Sequence, residues 1–151
     1  MLNGINKILT GEMLKVLCDM GHGDVLILAD ANFPGDAIAR QTAYGKVIRA
    51  PGIDASTVYE AMHELFPLDV LYSEHPACVM GLSDGDKAKG MERPVVWSEF
   101  EKTLHKDHPG AKLGLIERME FYERAKKAYA IIQTGEERIY GNLLLVKGVV
   151  F

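Results

Sequence analysis

The stretch Gly21–Asp24 and the nearby Asp30 carry the residue types in this sequence best suited to moving protons. His22 lies inside the stretch, and histidine changes charge near neutral pH, while a carboxylate can act beside it as acid or base. The run Val25–Ala29 is apolar and too short to cross a membrane, so it predicts a buried β-strand. His22 then lies at one end of this strand and Asp30 at the other, unless a neighbouring subunit brings the two together.

Each of these residues also has an ordinary structural explanation. Gly21 can end the preceding helix in a left-handed conformation, which would make His22 a surface turn residue. Asp30 precedes a Pro-Gly loop, where aspartate commonly stabilises a turn. On the residues alone the turn interpretation is favoured for His22, and the two interpretations of Asp30 are balanced. A metal-dependent lyase or isomerase that uses His22, Asp24 and Asp30 is a further alternative.

A second set of candidate residues lies towards the end of the chain. Arg118 opens a predicted helix, where a cation is unfavourable to the helix dipole, so its position indicates a task other than helix stability. A guanidinium there could bind ligand oxygens as a fixed fork of donors. Tyr140, Gly141 and Asn142 follow a turn. Their hydroxyl and amide groups suit a hydroxyl-bearing ligand, but Gly and Asn are equally common as turn residues.

The composition is typical of a globular protein with one hydrophobic core. The 151 residues are 48% hydrophobic and 25% charged, which predicts a single domain over 1–151. The net charge of −4 and pI of about 5.7 argue against a nucleic-acid partner. No apolar run could span a membrane and no signal peptide is recognisable, so we expect a cytoplasmic protein without a membrane partner. Cys18 and Cys78 are expected to be buried, reduced thiols.

Helices and strands alternate along most of the chain. Strands are expected at about 25–29, 47–49, 78–82, 113–116, 129–134 and 143–146, and a shorter extended piece at 70–72. Helices are expected over about 10–20, 54–66, 94–108 and 119–128, whereas 36–46 and 83–90 are expected to be irregular. The last two strands have no helix between them and are expected to pair. This order predicts the α/β class: a single layered domain with a mixed β-sheet flanked by helices.

Four segments together carry a resemblance to a known family. They are 20–24 (Met-Gly-His-Gly-Asp), 30–34 (Asp-Ala-Asn-Phe-Pro), 118–125 (Arg-Met-Glu-Phe-Tyr-Glu-Arg-Ala), and a last group at 134–136, 140–142 and 147–149. In this order and spacing they are specific, and the chain resembles the L-fucose mutarotase / D-ribose pyranase family along nearly all its length. The third segment is more similar to the fucose mutarotase branch. The chain differs from the family's pattern at 35–47, at 83–94, and at Asn32, where fucose-type relatives often have histidine.

The resemblance implies an isomerase that interconverts the anomers or ring forms of a reducing monosaccharide, with no metal or organic cofactor. It also implies a homo-oligomeric ring, a decamer, with sites near the subunit boundaries. His22 would be the catalytic acid/base residue, and Tyr122 a second proton-handling or substrate-binding group. The residues expected to contact the sugar are Asp30, Arg118, Tyr140, Gly141 and Asn142.

The chemistry of mutarotation agrees with these residue types. Ring opening needs one proton delivered to the ring oxygen and one taken from the anomeric hydroxyl, and a histidine of near-neutral pKa can do either. The reaction needs no phosphate-binding loop, dinucleotide fingerprint or zinc-type ligand spacing, and the sequence contains none of these. The alternative from another class is a non-catalytic monosaccharide-binding module of a sugar uptake or catabolic pathway. That module needs a similar polar pocket but no titrating group.

Overall fold

A six-stranded mixed sheet forms the centre of the computed structural model, which describes residues 2–150. Residues 1 and 151 of the predicted 1–151 domain lie outside the described part. The strands are β1 (Val25–Ala29), β2 (Val47–Ala50), β3 (Ala77–Met80), β4 (Gly114–Ile116), β5 (Ala130–Thr134) and β6 (Leu143–Val146). They lie in the order β2-β5-β1-β6-β3-β4.

The direction of β6 decides which residues can meet. β6 runs antiparallel to its neighbours β1 and β3, whereas β1–β5, β2–β5 and β3–β4 are parallel pairs. The first five strands therefore all end at one edge of the sheet, which we call the carboxyl edge, and β6 begins there. Residues that follow β1, β3 and β4 and residues that precede β6 are brought to the same place by this arrangement.

Within residues 2–150, six α-helices flank the sheet. They are α1 (Gly11–Asp19), α2 (Gly35–Ala39), α3 (Ala55–Met62), α4 (Asp84–Ala88), α5 (Val95–Asp107) and α6 (Arg118–Lys126), and a 3-10 turn, His63–Leu65, extends α3. Leu26 to Ala29 of β1 are all buried, and successive strand residues point to opposite faces, so both faces of the sheet are covered. No helix among residues 2–150 combines the length and hydropathy needed to cross a membrane.

Most helices begin where a side chain can accept from a free backbone N–H. Thr10 accepts from the Met13 N–H at the start of α1, and Asp54 accepts from the Thr57 N–H at the start of α3. Such caps satisfy donors that the first helical turn leaves unpaired.

The mixed sheet and the helices that flank it confirm the predicted α/β class.

Several local predictions were wrong, each for a physical reason. The segment 36–46 overlaps α2 and the segment 83–90 contains α4; both helices have five residues and are too short to show a helical period. Residues 70–72 form a turn, not an extended piece. The last two strands do not pair with each other, because β1 lies between β5 and β6.

Two predictions around α1 were also wrong. Cys18 is exposed, because α1 buries the stripe of Met13, Val16 and Leu17 and Cys18 lies off it. Gly21 does not take the left-handed conformation: Met20 ends the helix with extended backbone, and Gly23 has the positive φ of 84°. Cys78 is buried as expected, and burial raises the pKa of its thiol.

The junction between the end of β5 and the loop after β2 leaves no room for a side chain. A Cβ on Gly135 would lie 2.5 Å from the backbone nitrogen of Gly52. We expect Gly135→Ala to lower the free energy of unfolding by roughly 1–3 kcal/mol, because the backbone itself must shift. Gly110→Ala is the control, since nothing lies within 4 Å of a Cβ there. Urea unfolding checks both, and equal stability of the two variants would contradict the prediction.

Candidate active site

A small cavity opens at the carboxyl edge of the sheet, where five segments of the chain meet. Its volume is about 240 Å³, below the roughly 300–1,000 Å³ of sites for drug-sized ligands. Its wall combines carboxylates, amides, hydroxyls and a guanidinium with three apolar side chains. The lining residues are Asp30, Asn32, Phe33, Met80, Asp86, Arg118, Tyr122, Ile139, Tyr140 and Asn142. The cavity therefore suits a small ligand that carries several hydroxyl groups.

A larger cavity of about 580 Å³ lies beside β4. Its wall is mainly apolar, and four of its five charged groups form ion pairs: Arg93 with Glu101 at 2.7 Å, and Lys87 with Asp84 at 3.3 Å. The fifth, Glu117, accepts from the Met119 N–H at the start of α6 at 2.7 Å. None of the residues predicted from the sequence to act on a ligand lines it. We therefore assign the candidate active site to the smaller cavity.

Asp30 and Asn142 form a buried hydrogen-bonded pair in the smaller cavity. Asn142 Nδ2 donates to Asp30 Oδ2 at 2.7 Å, and the Asp30 backbone N–H donates to Asn142 Oδ1 at 2.9 Å. The Asn32 N–H donates to Asp30 Oδ1 at 3.0 Å. Burial raises the pKa of the Asp30 carboxyl, and donors that include Asn32, Asn142 and the Gly141 N–H partly offset this rise.

Tyr140 enters the cavity from an unusual backbone conformation. Its φ of 62° is the only positive value of a non-glycine residue among residues 2–150, and few such residues adopt this region. Its hydroxyl accepts from the Ser83 N–H at 3.1 Å and donates to the Asp86 carboxylate. The hydroxyls of Tyr140 and Ser83 hold the pKa of Asp86 below its usual range, so this wall of the cavity stays anionic.

An ion-pair network supports the loop that carries Tyr140. Arg138 donates to the buried Glu136 carboxylate through Nε at 2.7 Å and to Glu99 of α5 through Nη1 at 2.6 Å. These carboxylates raise the pKa of the Arg138 guanidinium. A Cβ on Gly141 would lie 2.5 Å from Glu136 Cγ, so the loop folds closely over this network. Gly141 itself does not line the cavity, but it donates its N–H to Asp30.

Arg118 and Tyr122, one helical turn apart, approach the cavity from the N-terminal half of α6. Arg118 is the first helical residue, as predicted, and its guanidinium lies 5.9 Å from the Tyr122 ring centroid. The Tyr122 hydroxyl raises the pKa of Arg118, so the cation persists. The Tyr122 ring in turn packs on Phe33 with 5.5 Å between centroids. The Glu117 carboxylate caps the helix and offsets the unfavourable cation at its start.

His22 lies at the opposite edge of the sheet in the same protomer. It precedes β1 whereas Asp30 follows it, and a five-residue strand spans roughly 16 Å. His22 Nε2 is 3.2 Å from Asp69 Oδ1, and the rings of His22 and Tyr72 are 5.2 Å apart. Asp69 is buried and also accepts from the Ser73 hydroxyl at 2.7 Å. Ser73 and His22 lower the pKa of Asp69, so an anion lies beside a partly exposed imidazole.

The turn that carries His22 is fixed by its neighbours. Asp24 accepts from the Gly21 N–H at 2.7 Å. The backbone of Lys147 makes two hydrogen bonds to the turn. Its carbonyl oxygen accepts from the Gly23 N–H, and its N–H donates to the Asp24 carbonyl oxygen, both at 2.8 Å. Asp24 is therefore occupied as a turn residue. Among residues 2–150 no group of three or more potential metal-ligating side chains is found, and His22 and Asp24 lie apart from Asp30.

The structure thus brings together most of the residues that the sequence singled out. Asp30, Arg118, Tyr122, Tyr140 and Asn142 share one cavity, Gly141 supports it, and His22 does not reach it within the protomer.

Sequence reasoning missed two carboxylates. Asp86 was set aside as part of a polar loop, although Ser83 three residues earlier is a helix-start pattern. Asp69 was also missed, although it is the one acidic residue in the otherwise apolar stretch 65–72 and lies two residues after the helix stop at Pro67.

The fold and the cavity define a small-molecule-binding α/β protein whose site is built for hydroxyl groups. The model of the RbsD / FucU transport protein family matches residues 3–150. The chain belongs to this family.

Named relatives agree over nearly the whole length. The chain is 48% identical to the fucose mutarotase of Mus musculus over 97% of this chain and 94% of that protein. It is 41% identical to the L-fucose mutarotase of Actinobacillus pleuropneumoniae serotype 5b, covering 99% and 97%. The solved fucose mutarotase of Streptococcus pneumoniae in complex with L-fucose superposes with a TM-score of 0.86 at 35% identity, covering 99% of this chain and 100% of that one.

The raised pKa of Asp30 predicts a specific dependence of stability on pH. A carboxyl whose pKa is higher in the folded than in the unfolded chain binds more protons when folded, so its stabilising contribution is lost as pH rises through the folded value. We therefore expect Asp30→Asn to gain stability relative to the parent chain as pH rises from about 4, the ordinary aspartate pKa, towards neutral. Denaturant unfolding of both proteins across this range measures the difference, and a loss of stability in the variant relative to the parent chain as pH rises would contradict the prediction.

Proposed function

We propose that this chain is a monosaccharide mutarotase, an isomerase that interconverts the anomers of a reducing sugar such as L-fucose. The whole chain, 1–151, acts as one mutarotase-like domain in the cytoplasm. Catalysis is general acid/base ring opening and closure without a cofactor. The observation that carries the proposal is the cavity at the carboxyl edge, where anionic, cationic and neutral hydrogen-bonding side chains surround a space that suits one monosaccharide. Support comes from fucose mutarotases that match the chain over nearly all its length.

The reaction requires two positioned groups from the protein, a general acid and a general base. One group protonates the ring oxygen while another removes the proton of the anomeric hydroxyl, and the bond from C1 to the ring oxygen breaks. The open-chain aldehyde then turns about the bond from C1 to C2, and the same groups in reversed roles close the ring on the other face. Each well-placed group contributes roughly 10²–10⁴-fold.

In this proposal the cavity holds the sugar and His22 exchanges the protons. Asp30 and Asn142 accept from and donate to sugar hydroxyls, Arg118 donates to oxygens, and Tyr140 accepts through its remaining lone pair. Tyr122 is a second proton-handling or binding group, and Gly141 keeps the loop close to Asp30. The Asp69 carboxylate, 3.2 Å from His22 Nε2, orients the imidazole ring.

A neighbouring copy of the chain supplies His22 to each cavity. His22 is partly exposed, and the exposed apolar side chains Val70, Leu71 and Tyr72 lie beside it. The cavity at the other edge is bordered by exposed Ile139, and Met119 is exposed beside Arg118. Two different patches that cover each other form a head-to-tail contact, and such contacts form a ring when the rotation between neighbouring copies closes. We therefore propose a homo-oligomeric ring, with the decamer as its expected form.

Removing the imidazole tests the catalytic role of His22. We expect His22→Ala to fold normally and to lose at least about 10²-fold in anomer exchange, the contribution of one acid/base group. The measurement is magnetisation transfer between the α and β anomeric proton signals of L-fucose, with D-ribose and D-galactose as further sugars. His108→Ala is the matched control and should keep the full rate.

Three outcomes would contradict parts of the proposal. A full rate in His22→Ala would assign the acid/base role to another residue. Sugar binding by the unaltered protein without faster exchange of any sugar would favour the non-catalytic binding module. Activity lost on exhaustive chelation would favour the metal-dependent alternative.

The shared site predicts complementation between inactive variants. His22→Ala and Arg118→Ala each damage a different half of the site, so mixing dissociated subunits and reassembling them should rebuild intact sites where one intact half meets the other. Random mixing of equal amounts gives about a quarter of the parental rate for head-to-tail contacts. No recovery in mixed rings, or a monomer by sedimentation, would contradict the shared site.

A further inference from the structure

We infer that Trp97 is a positioning residue for the sugar site, because its indole N–H holds Tyr140 in the backbone conformation that the site requires. The inference deepens the function proposed above and rests on it for its catalytic readout. Trp97 itself does not line the smaller cavity. It borders the larger cavity beside β4 and joins α5 to the loop before β6.

The contact that carries the inference is a buried hydrogen bond. Trp97 Nε1 donates to the carbonyl oxygen of Tyr140 at 2.9 Å, and both residues are buried. The Trp97 side chain is fixed in turn by burial in the core and by the Arg93 guanidinium, 5.7 Å from its ring. An indole N–H is a donor with no accepting capacity, so its one bond here is directed at this carbonyl.

The held residue is one that needs external support. Tyr140 has a φ of 62°, which a non-glycine residue keeps only where the surroundings determine it. Its hydroxyl is fixed to the Ser83 N–H and to Asp86, and its carbonyl to Trp97, so the side chain and the backbone are anchored to different elements. Removing the carbonyl anchor frees the backbone to relax out of the left-handed region.

Relaxation at Tyr140 would change the cavity. Asn142 is only two residues further along and pairs with Asp30 through two hydrogen bonds. A change of φ at Tyr140 would redirect its ring and strain the path to Asn142. The expected consequence is weaker sugar binding with little effect on the proton transfers, because His22 lies on a separate element.

The test is Trp97→Phe, which keeps an aromatic ring in the core and removes the donor. We expect KM for L-fucose anomer exchange, and the dissociation constant of L-fucose by calorimetry, to rise about tenfold, the effect of losing one buried hydrogen bond. We expect kcat to change by less than about twofold. Phe100→Leu is the matched control: Phe100 lies on the same helix, is fully buried, and should lower stability without raising KM.

A double-mutant cycle separates positioning from general loosening. If Trp97 acts by holding Tyr140 at positive φ, Trp97→Phe should raise KM by only about twofold in a chain that already carries Tyr140→Gly, because glycine adopts positive φ without strain and coupled residues are not additive. Equal increases in both backgrounds, or an unchanged KM in Trp97→Phe alone, would overturn the inference.

A crystal structure of Trp97→Phe tests the same inference without relying on activity. We expect Tyr140 to leave the left-handed region, and a φ that stays near 62° would overturn the inference even in an active enzyme. An unaltered protein without anomer exchange would instead overturn the proposed function, while the structure of the variant still decides the role of Trp97.

Discussion

Burying the Asp30 carboxylate at the end of β1 imposes the constraint on which the candidate active site depends. A buried carboxylate needs hydrogen-bond donors. Asn142, 112 residues further along the chain, donates to the Asp30 carboxylate and accepts a hydrogen bond from the Asp30 backbone N–H. The two residues can meet only because β6 runs antiparallel beside β1, so that its first residues lie where β1 ends. Sheet topology and the polar pair therefore support each other.

The cavity contains two carboxyl groups in contrasting surroundings. Burial raises the pKa of Asp30, whereas hydrogen bonds from Tyr140 and Ser83 lower the pKa of Asp86. Environments that push two carboxyl groups in opposite directions are typical of sites that bind or transform polar ligands. Asp30 is the more easily protonated of the two, and Asp86 remains an anion that orients the Tyr140 hydroxyl. The short helix α4, which the sequence did not reveal, presents Asp86 at this wall of the cavity.

Under the proposed function the groups of the site lie at two edges of the sheet, so an assembly of several copies would have a role in the chemistry. The hydroxyl-matching groups lie at the carboxyl edge, while the imidazole and its anionic partner Asp69 lie at the other. A strand's length separates them within one protomer, and no side-chain rotation spans that distance. Under the proposed function, a head-to-tail contact would complete each site, and a single copy would hold two incomplete halves.

The sequence by itself determined the class of fold and half of the residues that line the cavity. Buried strands without polar alternation and capped, periodic helices predicted a layered α/β domain, because burial on both faces leaves that pattern in any parallel or mixed sheet. Motif order also singled out Asp30, Arg118, Tyr122, Tyr140 and Asn142. Only the tertiary structure decided the strand order, the insertion of β6, the one-turn helices and the contacts of Asp69, Asp86 and Trp97. These depend on contacts between residues far apart in the chain, which local periodicity and propensity do not encode.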